Sequence, residues 1–239
     1  MRDREDLPSI LRSILIDSHA SNTAAVRICA ACPDLLPVTG AALTITGSAS
    51  VRGTVCVSDP VMGRIEDLQF TTGIGPCIDA ITHGTPVLVP ELDASAEARW
   101  PGFAYEAKKA GAQAIFALPL RIGAIRLGAM DLYRDGPGGL SHPELAAALM
   151  VANTATLAVI SMHDVTPAGD LDEEWWDLAS FYRVEIHQAT GMLMHQFDIT
   201  AVEALVRLRA RAFTSDVPVL KLARSIVARE VDLSPKPIE

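Results

Sequence analysis

Apolar positions recur with two different periods along this chain. Short apolar and β-branched runs at 40–46 and 51–58, and again within 112–135, predict two β-hairpins with turns at 47–50 and 122–124. Steps of three and four predict helices at 7–31, ended by Pro33, and at 141–163. The order of these elements indicates an α+β domain, an antiparallel sheet with flanking helices.

The stretch between the two hairpins is punctuated by glycine and proline. We expect a short helix within residues 67–92, a short strand at 86–89 and a helix at 101–110.

The spacing of the apolar positions becomes purely helical after the polar segment TPAGDLDEE, where we place a domain boundary. One apolar stripe then runs from Trp175 to Phe197 at helical spacing. Thr200 and Glu203 form a capping-box pattern for a second helix, expected over about 201–213. Pro218 suits the first turn of a third, expected over about 217–229. The predicted organisation is a domain at 1–164, a connector at 165–180, a three-helix module at 181–230 and a tail at 231–239.

Composition favours a packed protein that is not embedded in a membrane. Apolar residues make up 49% of the chain, yet no run approaches the roughly 18 apolar residues that a membrane span needs. The first ten residues mix acidic with basic side chains and lack the apolar core of a secretory signal. We therefore expect a cytoplasmic protein without a membrane partner.

Charge is distributed unevenly between the two parts. The net charge of the chain is −9, but residues 181–229 contain seven basic and four acidic side chains, a local balance of +3. The remainder is therefore strongly acidic. This asymmetry is compatible with a polyanion partner for the C-terminal module.

Signatures of catalysis and of metal binding are missing from the sequence. There is no Walker A loop, GxGxxG, HExxH or GxSxG pattern, so we do not expect an enzyme. Cys29 and Cys32 form a single CxxC without a second ligand pair. We expect these two, Cys56 and Cys77 to be small buried thiols, with no metal and no cofactor.

The C-terminal module resembles an ANTAR domain, an RNA-binding antitermination module of bacterial regulators. The family pattern Arg-x-x-Ile-x-Gln-Ala-Lys-Gly-x-Leu-Met corresponds here to RVEIHQATGMLM, matching at Arg183, Ile186, Gln188, Ala189, Gly191, Leu193 and Met194. A later Glu-Ala and Leu-Arg match Glu203, Ala204, Leu208 and Arg209. Two positions depart from the pattern: Thr190 replaces the usual lysine, and Lys221 stands where aspartate is common.

Candidate RNA-binding residues follow from this resemblance and from helical faces. They are Arg183, His187, Gln188, Thr190, Arg207, Arg209, Arg211, Lys221 and Arg224. Arg209 lies among the apolar positions Val202, Leu205, Ala212 and Phe213. It is expected either to extend its stem along them or to make a fixed polar contact, inside the bundle or to a ligand. Gly191, beside Ala189, is expected to let another helix approach closely.

The N-terminal part resembles a GAF domain, a small-molecule or protein-sensing module, over about residues 7–162. The segments TGIGPC, WPGF, ALPLRIG and LGAMDLY carry the resemblance, and their order is similar to that in actinobacterial GAF–ANTAR regulators. It implies a pocket between the sheet and the middle segment. The pocket candidates are Phe70, Ile74, Cys77, Trp100 and Phe103, which would be ordinary core residues if no ligand binds.

The two resemblances together imply a signal-responsive regulator that binds paired hairpin loops in nascent RNA and promotes antitermination. The wide stripe from Trp175 predicts a homodimer. Two alternatives remain open: a DNA-binding transcription factor, and a protein-interaction adaptor without nucleic acid.

Overall fold

The N-terminal domain is built on a five-stranded antiparallel sheet of order β2–β1–β5–β4–β3. The computed structural model describes residues 6–17, 21–46, 52–161, 184–215 and 217–231. The strands are β1 Gly40–Thr46, β2 Arg52–Val57, β3 Val87–Val89, β4 Ala114–Ile122 and β5 Ile125–Arg134. Both predicted hairpins are confirmed, as is the short strand β3. The central pairing of β1 with β5 joins the hairpins into one sheet.

Three helices cover one face of this sheet: α1 Leu7–Asp17, α2 Ser21–Leu35 and α7 His142–Ser161. Alternate strand residues such as Leu43, Phe116 and Leu132 point into the core beneath them. In the described part of the chain, one helix, α7, has the length and apolarity of a membrane span. Seven of its residues are buried in the domain, so here it serves as a core helix.

The N-terminal helix prediction was wrong in two respects. Residues 7–31 do not form a single helix, since α1 ends at Asp17 and α2 begins at Ser21. Helix α2 also continues beyond Pro33 to Leu35. Proline removes one backbone donor only two residues before the end of the helix, and the Leu36 N–H closes the last turn on the Cys32 carbonyl at 2.9 Å.

Four helices cover the other face: α3 Pro60–Thr72, α4 Pro76–His83, α5 Ala94–Arg99 and α6 Phe103–Ala110. Helices α3 and α5 were not predicted from the sequence. A local signal for α3 was present, because Asp59 caps it by accepting from the Val61 and Met62 N–H groups, with Pro60 in its first turn. Helix α3 presents Glu66, Gln69 and Phe70 as buried residues.

The C-terminal module contains three mutually packed helices: α8 Val184–Phe197, α9 Ala201–Thr214 and α10 Val219–Val227. Their number and order confirm the prediction, while residues 175–183 of the predicted stripe lie outside the described residues. The capping box is confirmed: Thr200 Oγ1 accepts from the Glu203 N–H, and Glu203 Oε2 accepts from the Thr200 N–H at 3.0 Å.

The predicted apolar face of α9 was partly wrong. Its buried positions are Ala204, Leu205, Leu208 and Ala212, whereas Val202 is 47% exposed and Phe213 is 74% exposed. Spacings of three and four from Leu205 select the buried stripe, and at 100° per residue Val202 and Phe213 lie at its margin. The apolar cluster of the module also includes Phe70 of α3, so the two domains are in contact.

Candidate RNA-binding surface and sensor cavity

Four exposed cations of the C-terminal module lie on α9 and α10. On α9, Arg207 and Arg211 are exposed, and the Arg207 guanidinium lies 5.3 Å from the centre of the Phe197 ring at the end of α8. On α10, Lys221 and Arg224 are exposed. These cationic candidates therefore lie outside the apolar core of the bundle, as the sequence predicted.

Arg224 is tied to the start of α8. Its Nε donates to Glu185 Oε1 at 2.9 Å. A backbone hydrogen bond at Glu185, and next the Arg224 guanidinium, hold the pKa of Glu185 below its ordinary value. Arg207 contacts the opposite end of α8, about 18 Å away along a helix that rises 1.5 Å per residue. Cations of α9 and α10 thus contact α8 near both of its ends.

The candidates on α8 have different surroundings. Gln188 is exposed and His187 is half-buried. Thr190 donates through Oγ1 to the Ile186 carbonyl of its own helix at 2.7 Å, so its hydroxyl hydrogen is already engaged. Arg183 lies outside the described residues.

Among the described residues, no helix approaches Gly191 as the packing role expected for it would require. Gly191 is exposed, and a Cβ added to it meets nothing within 4 Å among the described atoms. Ala189 is fully buried, and two residues along a helix correspond to a rotation of 200°, which places Gly191 on the opposite side. Within the part of the chain that the structure describes, the bare backbone at Gly191 therefore has no packing neighbour, and it lies on the face that also carries Gln188.

The Arg209 side chain extends from its own helical bundle to the N-terminal domain. It is half-buried, and its guanidinium lies over the ring of Phe70 in the N-terminal domain, 4.4 Å from the ring centre. A cation–π contact that is partly shielded from water contributes roughly 1–2 kcal/mol. The fixed contact considered from the sequence thus exists, but it reaches the other domain.

A small cavity lies where α3, α4 and α9 meet the sheet. It is lined by Thr44, Thr54, Glu66, Gln69, Phe70, Cys77, Ile78 and Arg209. Of the five predicted pocket residues, only Phe70 and Cys77 are among these. Trp100 and Phe103 pack edge to face in the apolar core, with centroids 6.4 Å apart, and Ile74 packs against that core.

The polar part of this site was not predicted from the sequence. Glu66 Oε2 accepts from the hydroxyls of Thr44 at 2.5 Å and Thr54 at 3.2 Å. The Gln69 amide nitrogen donates to Glu66 Oε1 at 3.1 Å and to Asp131 Oδ2 at 2.6 Å. These groups meet because Asp131 and Thr44 point toward α3 from adjacent strands. Their positions 87 residues apart in the sequence gave no local signal.

Gly75, in the predicted TGIGPC turn, makes room for Gln69. Its φ is +140°, and a Cβ there would come within 2.5 Å of Gln69 Oε1. That oxygen accepts from the Cys77 N–H at 2.8 Å. Gln69 therefore links α3, α4 and β5, and Gly75 leaves the space that this side chain occupies.

Burial determines the protonation of this network. Asp131 is 1% exposed, and burial, followed by the adjacent Glu66 carboxyl, raises its pKa well above the ordinary value. Donor atoms of Glu66, Cys77 and Asp131 lie within 4.8 Å of one another, which is a possible ligand set for a metal ion. The Gln69 amide nitrogen donates to one oxygen of each carboxyl, whereas Asp131 Oδ1 accepts no hydrogen bond from the described residues.

The four thiols are buried, as predicted. Hydrogen bonding with Cys56 and burial raise the pKa of Cys29, and burial raises that of Cys32. Cys29 and Cys32 donate to backbone carbonyls of Ala41 and Ile28. A raised pKa leaves little reactive thiolate at neutral pH.

Comparison with protein families agrees with the geometry of the C-terminal module. The family model of the ANTAR domain matches residues 182–227. This segment is an ANTAR domain. ANTAR domains belong to RNA-binding antitermination regulators, and they are regulatory rather than catalytic.

The N-terminal domain has the fold of solved GAF domains. It is similar to the GAF domain of a phosphoenolpyruvate-protein phosphotransferase from Coxiella burnetii, with a TM-score of 0.54, 12% identity, and coverage of 68% of this chain and 97% of that one. The corresponding domain from Acinetobacter has a TM-score of 0.51 and 12% identity, and the match covers 69% of this chain and 98% of that one. No curated protein matches the chain. The chain therefore combines an N-terminal domain of GAF fold with a C-terminal ANTAR domain.

Proposed function

We propose that this protein is a cytoplasmic, signal-responsive regulator whose ANTAR domain binds hairpin loops in nascent RNA and promotes antitermination. The observation that carries the proposal is an ANTAR domain bearing exposed cations on α9 and α10 and packed directly on a GAF domain. Such cations would neutralise phosphates. Loop bases would be contacted by stacking and by their edges.

Exposed side chains favour arginine over aromatic stacking on the bases. Arg207 and Arg211 lie on one side of α9, one helical turn apart. Planar guanidinium groups stack on bases and also contact phosphate. Gln188 and the backbone at Gly191 are exposed on α8 and form a separate candidate contact surface.

The test is titration of the full-length chain with a hairpin-loop RNA and with duplex DNA, each at several salt concentrations. We expect tighter binding to the RNA. Alanine at Arg207, Arg211 or Lys221 should flatten the salt dependence of RNA binding by a slope of about 0.7 for each phosphate that is no longer neutralised.

Lys109→Ala provides the matched control, because Lys109 is an exposed cation on α6 of the GAF domain. It should leave the slope unchanged. Preference for duplex DNA would instead support a DNA-binding factor. An absence of binding to either nucleic acid would support a protein-interaction adaptor.

We further propose that the protein acts as a homodimer. The sequence motivates this, because the apolar stripe beginning at Trp175 is wider than a small three-helix module can bury. Light scattering at micromolar concentration should give twice the mass of the 25.5 kDa chain. A monomeric mass both with and without RNA would contradict the proposal.

A further inference from the structure

The cavity between the GAF and ANTAR domains is built around the buried carboxyl group of Glu66. Glu66 is 3% exposed and accepts from three donors: the hydroxyls of Thr44 and Thr54 and the amide of Gln69. Donors directed at both of its oxygens stabilise the ionised form of a carboxyl group. A charge held in this way away from water requires a nearby cation.

Asp131 adds a proton to the site rather than a second charge. It lies beside Glu66, and both accept from the same Gln69 amide nitrogen. Two adjacent carboxyls in a buried site do not both ionise at neutral pH, so the pair retains one proton. The raised pKa of Asp131 agrees with this. The pair therefore carries at most one negative charge at neutral pH.

The cation on the cavity wall comes from the other domain. Arg209 of α9 lines the same cavity as Glu66, and its guanidinium lies 4.4 Å from the centre of the Phe70 ring. The lining residues include no other cation. The remaining space, about 10 Å³, is on the order of a single water molecule. A ligand can therefore enter only where the Arg209 side chain leaves.

We propose that this cavity is a binding site for a small organic cation of the guanidinium type, and that Arg209 occupies it in competition with that ligand. Phe70 offers a flat face to a planar cation, and Glu66 offers the counter-charge. Because Phe70 also packs in the apolar cluster of the ANTAR helices, a ligand that displaces Arg209 loosens the contact between the domains. The inference rests on the proposed function only in treating the GAF domain as the sensor.

This mechanism would couple the signal to RNA binding through one side chain. Arg209 is both a position of the ANTAR pattern and a wall of the GAF cavity. While it lies over Phe70, it is withheld from RNA. The protein then has two states, one with Arg209 in the cavity and one with Arg209 released. A ligand that binds only the released state shifts the population toward it, and the size of the shift depends on the difference between the ligand's affinities for the two states.

The test measures calorimetric binding of methylguanidinium chloride to the full-length chain, with methylurea as an uncharged control of similar shape. Arg209→Ala should bind methylguanidinium about tenfold or more tightly than the wild-type chain, because the competing side chain is gone. Arg207→Ala, which removes the exposed arginine two residues earlier on α9, should bind like wild type. Glu66→Gln in the Arg209→Ala background should abolish binding, and methylurea should not bind to any variant.

Two measurements cover the possibility that Arg209→Ala misfolds. Arg209→Met retains the apolar stem without the charge, and should show the same gain in affinity. In the wild-type chain, saturating methylguanidinium should speed amide hydrogen exchange within residues 201–214. Equal affinities of the Arg209 and Arg207 variants, binding of methylurea, or unchanged exchange would each overturn the proposal. No RNA enters these measurements, so their outcome is independent of whether the ANTAR domain binds hairpin loops.

Discussion

Replacing Gly191 by alanine separates a packing role from a surface role for this position. Gly191 is in the middle of α8, is exposed, and has open space around its missing Cβ among the described atoms. Glycine in a helix interior costs roughly 0.5–1 kcal/mol relative to alanine. With no clash to offset this gain, Gly191→Ala should stabilise the ANTAR domain by about that amount. A change of about 1 kcal/mol corresponds to a roughly fivefold change in the unfolding equilibrium.

The assay is urea unfolding of the full-length chain, followed by circular dichroism and by hydrogen exchange of residues 184–197. Ala189→Gly is the matched control, because Ala189 is fully buried two residues away. It should destabilise the domain, since it adds the glycine penalty and removes a buried methyl group. Hairpin-RNA titration of Gly191→Ala then tests the surface directly: reduced affinity together with increased stability would place RNA on this face.

A loss of stability in Gly191→Ala would refute this reasoning. It would mean that the added methyl group meets atoms that the described structure does not place there, as a close approach by another helix would require. Unchanged RNA affinity together with the expected stabilisation would agree with an exposed Gly191. It would indicate that RNA binds at the cations of α9 and α10 rather than at the Gly191 face.

Two further predictions concern the sensor cavity and the helix cap. A buried acid whose pKa is raised on folding favours the native state below its unfolded pKa of about 3.9, and this stabilisation is lost as the pH rises toward the folded value. Asp131→Asn should therefore be more thermostable than wild type near neutral pH and show a flatter pH dependence of its melting temperature. The titratable and polar groups around this carboxyl are Glu66, Gln69 and Cys77. A parallel pH dependence in the two proteins would contradict the reasoning. Thr200→Ala should destabilise the ANTAR domain by about 1 kcal/mol in urea unfolding, because the helix cap is lost. Thr200→Ser retains the capping hydroxyl and should keep most of the wild-type stability.

Features set by neighbours along the chain were predicted well from the sequence. The two hairpins, the capping box at Thr200 and the three helices of the C-terminal module depend on periodicity and on residues within a turn of one another. The ANTAR pattern is equally local, because its matched positions lie on successive helices. The missed helix α3 had a local signal too, in the Asp59–Pro60 cap.

The cavity between the two domains is determined only by the tertiary structure. Its walls come from β1, β2, α3, α4 and α9, and Asp131 of β5 completes its polar network, so no window of sequence contains the site. Period-two alternation could have shown that Thr44 and Asp131 point to one face of their strands, but not that Glu66 lies opposite them. Arg209 shows the same limit: its helical face could be read from spacing, whereas the ring it covers belongs to a residue 139 positions away. Burial of a charge depends on which distant surfaces meet, and that is a property of the folded chain.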